Sequence, residues 1–297
     1  MKRFEFEGYG GKKISVVEWA DVACPRGVVQ IAHGMAEHAL RYQKIAEYLN
    51  GLGYVVFADD HRAHGQTDIS TLGYCDGDIF NDTLKDLAML TDHYRQKYGL
   101  PVVLFGHSYG SFLSQRYLQL YGDKVQSVIL GGSNRMGSGI SALGRFICSC
   151  ACAFGKSKKP GNLVKKMSFD AYNKNFKEGT FISSIVSECE RYDSDGLCGY
   201  VCSYNFYKCF FTGLTQMYKK KNLKSLPAGK RVMLISGLSD PVGEMGKGVD
   251  RLEKLYLSYG VDVKKVTYPG VRHEYLNDIS SADAMAEIAS FCNELIG

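Results

Sequence analysis

The sequence predicts an α/β fold: a mostly parallel central sheet flanked by helices on both faces, with a helical cap inserted between two late strands. Three observations carry this. Short apolar runs rich in β-branched residues recur along the chain, helix-length amphipathic stretches separate most of them, and the alternation stops in one long span before a further strand resumes it. Strand alternating with helix makes a parallel sheet, because each crossover returns the chain to the same end of the sheet and lays a helix over a face.

In chain order, residues 4–7 and 12–19 flank the turn GYGG, a hairpin signal, so the sheet opens with antiparallel strands. The apolar runs GVVQIA (27–32), YVVFA (54–58), PVVLF (101–105) and VQSVIL (125–130) follow, and RVMLIS (231–236) and VDVKKVTY (261–268) come after the excursion. Residues 41–51, 81–98, 109–121, 247–259 and 282–296 place apolar side chains three and four apart, the period of a helix with one buried face.

The excursion divides the chain into core (1–134), cap (135–226) and core (227–297). It has a composition of its own. Residues 135–226 hold 15 lysines and arginines against 6 carboxylates, although the whole chain carries only +5, and they include seven of its ten cysteines. Such a segment favours transient contact with anionic lipid, or is simply a solvated basic surface. Between two sheet strands, it belongs over the carboxyl ends of the strands, where α/β sheets hold their sites. The opening residues, MKRFEFEGYGGKK, contain no apolar core of a signal peptide, which predicts reduced thiols and a cytoplasmic location. The apolar stretch 140–154 includes Arg145 and falls short of the ~20 residues a bilayer needs. It reads as a buried or interfacial segment, with no transmembrane span.

The strongest local signal is PVVLFGHSYG running into FLSQRYLQLY: strand, Gly-x-Ser-x-Gly, helix. A nucleophile elbow holds its serine on a strained turn, and small flanking residues let strand and helix approach; Gly106 and Gly110 supply that space around Ser108. A serine hydroxyl needs a base, and the base needs an acid. Of seven histidines only His273 follows the elbow, just beyond a strand. For the acid, Asp240 ends RVMLISGLSD at the carboxyl end of a strand, with Pro241 and Gly243 behind it; Asp250 lies in a helical pattern, Asp262 begins a strand, and Glu244 is a fallback. An oxyanion hole needs two backbone donors, expected from Tyr109, after the nucleophile, and from Met35 in the loop HGMAEH, which His33 and Gly34 shape. The bland alternative for that loop is a helix-starting turn with Glu37 in its first turn.

Together HGMAEHALRY (33–42), DHRAHGQT (60–67), GHSYG (106–110), GLSDPVG (237–243) and RHE (272–274) resemble the monoglyceride lipase and lysophospholipase branch of the α/β-hydrolases, grouped with serine aminopeptidase-like hydrolases. The resemblance covers the sheet-forming two thirds of the chain. It implies Ser108 as nucleophile, Asp240 as acid, His273 as base, Met35 and Tyr109 as oxyanion donors, and a cap forming the acyl pocket. Ala63 and Ser111 stand where that family commonly has glycine, and the cap is unusually rich in cysteine.

The expected activity is hydrolysis of a small acyl ester, such as a monoacylglycerol or lysophospholipid, without cofactor. An amidase, peptidase or thioesterase using the same triad is the alternative, and a non-catalytic binding protein the remote one. Cys148, Cys150, Cys152, Cys189, Cys198, Cys202 and Cys209 form no CxxC pair and match no zinc module, so no metal is expected and they read as small buried hydrophobes. Neither GxxxxGK[ST] nor a post-strand GxGxxG occurs, and the lysines at 156, 158, 159 and 219–221 accompany no nucleic-acid-binding module. Dehalogenase and epoxide-hydrolase chemistry needs a carboxylate at the elbow, which Ser108 excludes.

Overall fold

A computed structural model describes residues 1–296. Eight strands form one sheet: β1 (Lys2–Glu7), β2 (Lys13–Trp19), β3 (Gly27–Ala32), β4 (Tyr54–Asp59), β5 (Val102–His107), β6 (Ser127–Gly131), β7 (Arg231–Gly237) and β8 (Asp262–Tyr268). Their order is β1-β2-β4-β3-β5-β6-β7-β8. The first hairpin is antiparallel and β2 joins β4 antiparallel; every pairing from β4 to β8 is parallel.

The period-two alternation sorts each central strand between two cores. Val28, Leu104, Val128 and Leu234 face one side, where they meet α2 (Ile79–Tyr98), α3 (Tyr109–Tyr121) and α10 (Lys247–Ser258). Val29, Val103, Ile129 and Met233 face the other, under α1 (Gln43–Gly51) and α11 (Ser281–Ile296). Because both faces are covered, these strands read as continuous apolar runs rather than alternating ones. Truncating a fully buried leucine such as Leu104 to alanine costs about 2–5 kcal/mol.

Helix ends follow their sequence signals. Asp78 caps α2 by accepting the N–H of Asn81 at 3.3 Å, and Gly99 closes it in the left-handed region at φ 65°. Acid in its first turn (Asp82) and base in its last (Arg95, Lys97) complement the helix dipole.

The excursion between β6 and β7 is helical: α4 (Ser138–Ala153), α5 (Asn162–Met167), α6 (Phe169–Asn173), α7 (Val186–Ser194), α8 (Tyr204–Met217) and α9 (Lys220–Leu223). It does not simply hover above the sheet. Phe206, Phe210, Leu214 and Met217 of α8 join the core that α2 and α3 line. Gly213 permits that approach, since a Cβ there would stand 2.4 Å from the ring of Phe80. Gly144 similarly lets α4 lie on Phe211 of α8.

The apolar stretch 140–154 is buried along one stripe only. Ser141 and Cys148 of α4 face inward, whereas Ile140, Phe146 and Phe154 are 63%, 67% and 82% exposed. Among the described residues no helix is long and apolar enough to cross a membrane. All ten cysteines are free; of the seven in the excursion, five are buried and Cys150 and Cys152 are half-buried. The lysines at 156, 158, 159 and 219–221 are exposed.

Candidate active site

The strand order places the site. From β3 the chain passes to β4 on one side and later to β5 on the other, so β3 and β5 bound a topological switch point, and the loops leaving their carboxyl ends diverge there to open a crevice. The loop after β3 is HGMAEH and the loop after β5 is the GHSYG turn.

Ser108 sits at φ 51° and ψ −117°, the left-handed backbone that makes the elbow sharp. Its N–H donates to the carbonyl of Gly131 at 2.9 Å, which helps hold the turn open. The flanking glycines are dictated by space. A Cβ on Gly110 would lie 1.9 Å from the carbonyl oxygen of Ala32, and one on Gly106 would lie 2.3 Å from that of Gly110.

His273, in the loop after β8, and Asp240, in the loop after β7, reach the same point. Ser108 Oγ lies 2.8 Å from His273 Nε2, and His273 Nδ1 lies 2.9 Å from Asp240 Oδ2. Asp240 is fully buried, and its second oxygen accepts the N–H of Val242 at 2.8 Å, which fixes the carboxylate's orientation. With Nδ1–H donated to Asp240, Nε2 is left to accept the serine proton. Burial opposes a charge on His273, but the facing Asp240 carboxylate, by charge and by hydrogen bond, with Glu274 and Glu37 behind it, raises its pKa above the usual imidazole value. Neighbouring His107 goes the other way: burial, with His273 and Arg41 nearby, holds it far below its ordinary pKa and therefore neutral.

The three rival acids lie elsewhere. Glu244 is exposed and pairs with Arg251, Asp250 pairs with Lys265 at 2.8 Å, and Asp262 pairs with Arg231 at 3.3 Å.

The loop after β3 is held from behind. Glu37 accepts the N–H of Gly34, the hydroxyl of Tyr42 at 2.8 Å and Nε of Arg41 at 3.0 Å, while the far end of Arg41 grips Glu274 beside His273. Glu37 is thus a buried strut before a 3-10 turn (Ala39–Tyr42), not a first-turn helix residue. His33 takes the N–H of His61 at Nε2 (3.0 Å), so its Nδ1–H donates to the carbonyl of Gly34 at 2.8 Å. Burial and the neighbouring rings of His61 and His64 keep His33 uncharged. Gly34 lies against Ser108: a Cβ there would come within 3.3 Å of Ser108 Cβ. Among the described residues the N–H groups of Met35 and Tyr109 find no acceptor within the protein, as free donors for a ligand oxygen must.

Both departures from the family pattern have a visible setting. Ala63 occupies φ 68°, a backbone region that favours glycine. Ser111 uses its hydroxyl to donate back to the carbonyl of Ser108 at 2.6 Å.

Ser108, Met35 and His273 line a cavity of about 290 Å³, to which the excursion contributes much of the remaining lining. Its lining is mixed: Phe169, Phe181, Ile182, Tyr200 and Val201 are apolar or aromatic, and Lys165, Asp170, Asn173 and Asp193 are polar. Sequence reasoning did not find Phe181 and Ile182, whose carbonyls accept the N–H groups of His273 and Glu274 at 3.1 and 2.8 Å. Nor did it find the Glu37–Arg41–Glu274 network. The i, i+4 spacing of Glu37 and Arg41 signals half of that network, but the partner 233 positions away has no local signature.

A profile of the serine aminopeptidase S33 family matches residues 23–280. Over 178 residues the chain is 30% identical to the monoacylglycerol lipase of Mycolicibacterium smegmatis, an alignment covering 57% of this chain and 59% of that protein. It is 35% identical over 97 residues to the Homo sapiens monoglyceride lipase, covering 32% of this chain and 31% of the human one. The aligned parts are therefore less than two thirds of these relatives' length. A carboxyl esterase from Bacillus coagulans, solved in complex with glycerol, superposes with a TM-score of 0.90 at 25% identity, covering 100% of this chain and 99% of that one. With strand order, elbow and family profile in agreement, the chain belongs to the serine aminopeptidase S33 family of α/β-hydrolases.

Proposed function

We propose that the protein is a serine hydrolase that cleaves carboxylic esters of the monoacylglycerol, lysophospholipid or similar small acyl-ester class. The observation that carries this reading is the continuous hydrogen-bonded line Ser108–His273–Asp240, whose first two members line a cavity with apolar and polar residues. The apolar lining suits an acyl chain and the polar lining a hydroxylated alcohol. The names of the relatives support ester chemistry.

In this mechanism Ser108 Oγ attacks the ester carbonyl as its proton passes to His273 Nε2, and Asp240 stabilises the imidazolium that forms. The carbonyl oxygen becomes an oxyanion held by the N–H groups of Met35 and Tyr109. His273 then gives its proton to the departing alkoxide. The acyl group stays on Ser108 until His273 activates a water that releases the acid, regenerating the hydroxyl.

Labelling by a fluorophosphonate probe tests the nucleophile. Wild-type protein labels stoichiometrically and Ser108→Ala does not, with turnover falling by roughly 10⁴–10⁶; labelling that survives the substitution removes Ser108 from the mechanism.

The family's aminopeptidase name favours one second reading, amide hydrolysis by the same groups. Matched ester, thioester and amide substrates of one acyl group separate the two, and an amide turned over faster than its ester would reverse the assignment.

We also propose that residues 135–226 act as a cap that forms the acyl pocket and meets anionic lipid through its basic surface. The exposed lysines and the outward apolar side of α4 support that contact.

A further inference from the structure

Beyond the cavity, three side chains with metal-ligating atoms converge from distant parts of the sequence: His38, Asp195 and Cys198, whose ligand atoms all lie within 4.8 Å of one another. We propose that they form a binding site for a zinc-class divalent cation, which fastens the 195–199 turn of the excursion onto the loop after β3.

The geometry is prepared on both sides. The N–H of Cys198 donates to the carbonyl of Asp195 at 2.9 Å, closing a turn that carries both residues. The N–H of Leu197 holds Asp195 Oδ1 at 2.9 Å, leaving Oδ2 to face His38 Nε2 at 2.8 Å. The turn is already docked where His38 begins its work, since Gly199 donates to the carbonyl of Ala36 at 3.0 Å and Tyr192 OH donates to the same oxygen at 2.9 Å. His38 and Cys198 are buried, whereas the Asp195 side chain is 33% exposed, which gives an ion a path in and leaves a coordination position for water.

The donor set selects the ion. One imidazole, one carboxylate and one thiolate are borderline-soft and suit Zn²⁺ rather than Mg²⁺ or Ca²⁺, which prefer oxygen throughout. Two anionic ligands and a neutral ring balance a dication. Binding replaces the Cys198 thiol proton, which leaves to solvent; the proton on His38 Nε2 that faces Asp195 is exchanged for one on Nδ1, which has no partner among the described residues, so that the ring stays neutral and the His38–Asp195 pair separates by the small distance an inserted ion needs. Arg41 lies nearby but already serves Glu37 and Glu274. A span of 157 positions between His38 and Asp195 explains why no zinc-module spacing appears in the sequence.

Cobalt and zinc titrations of the chelator-stripped full chain test the site independently of any activity. Expected are one Co²⁺ per chain, a near-ultraviolet thiolate-to-cobalt charge-transfer band, its loss on adding Zn²⁺, and a Tm raised by roughly 5 °C at about 100-fold excess over Kd. Cys198→Ser should abolish the band and Asp195→Asn should weaken binding at least about tenfold, while Cys24→Ser, at an exposed thiol, changes neither. Absence of the band, its persistence in Cys198→Ser, or unaltered affinity in Asp195→Asn overturns the proposal. Should Cys198→Ser fail to fold, Asp195→Asn decides alone.

Discussion

At the residue scale, His273, the proposed base, can act only while neutral, and the facing Asp240 carboxylate makes it harder to keep neutral. Its pKa is raised despite burial, so the acidic limb of the kcat/KM profile should lie above the usual imidazole value of about 6.5. As pH falls through that raised value, the ring takes a proton and turnover is lost. Asp240→Asn removes both the charge and the correct tautomer, so the limb should move to lower pH while kcat drops by about 10⁴. A rate–pH series on the two proteins checks this, and an unmoved limb would mean that another group titrates. The convergence of Ser108, His273 and Asp240 was readable in the sequence because each position depends on local context: a serine between obligatory glycines, and a histidine and an aspartate each just past a strand. Ala63 shows the limit of such reading. The sequence marks it as a departure from glycine, but its left-handed backbone appears only in the fold.

Among elements, the stretch following α6 is tied to the loop that carries His273. Arg272 Nη1 donates to the carbonyls of Glu178, Thr180 and Ser183 at 2.9, 2.7 and 2.9 Å, and its guanidinium stands 4.0 Å from the centre of the Phe176 ring. Arg272→Met keeps much of the packing but supplies no donor. It should lower stability by about 1–3 kcal/mol and expose residues 176–185 to protease before the rest of the chain, with urea melts and limited proteolysis as the readouts. An unchanged cleavage pattern would show that the backbone bonds of Phe181 and Ile182 suffice. Strands and sheet-packed helices were legible because a two-faced sheet enforces periods of 2.0 and 3.6. The excursion was not. Its helices bury parts of their surfaces against one another and against α2, as at Gly144 on Phe211 and Gly213 on Phe80, and such pairings leave glycines in the text without naming their partners.

For the whole molecule, charge is partitioned rather than merely modest. The segment 135–226 is strongly basic while the rest is slightly acidic, and α4 adds an outward apolar face with Ile140, Leu143 and Phe146 exposed. If the basic surface gathers anionic vesicles, hydrolysis of an ester carried in them should fall several-fold as salt rises from about 0.01 M to about 0.15 M, where the screening length drops from about 30 to about 8 Å. Hydrolysis of a water-soluble ester should change little over that range. Equal salt responses from the two substrates would assign the lysines to solubility alone. The charge imbalance was plain in the sequence, but the direction in which α4 turns its apolar side was not, since a stretch apolar along much of its length fits burial and exposure alike.

The backbone bonds from His273 and Glu274 to Phe181 and Ile182 have one further consequence. Part of the cavity lining and the mount of His273, the proposed base, are a single hydrogen-bonded piece, so whatever pushed that lining aside to admit a bulky guest would also slacken the imidazole. Guests that enter without moving it meet a base already aimed. Selection by size would then register as slow turnover rather than weak affinity.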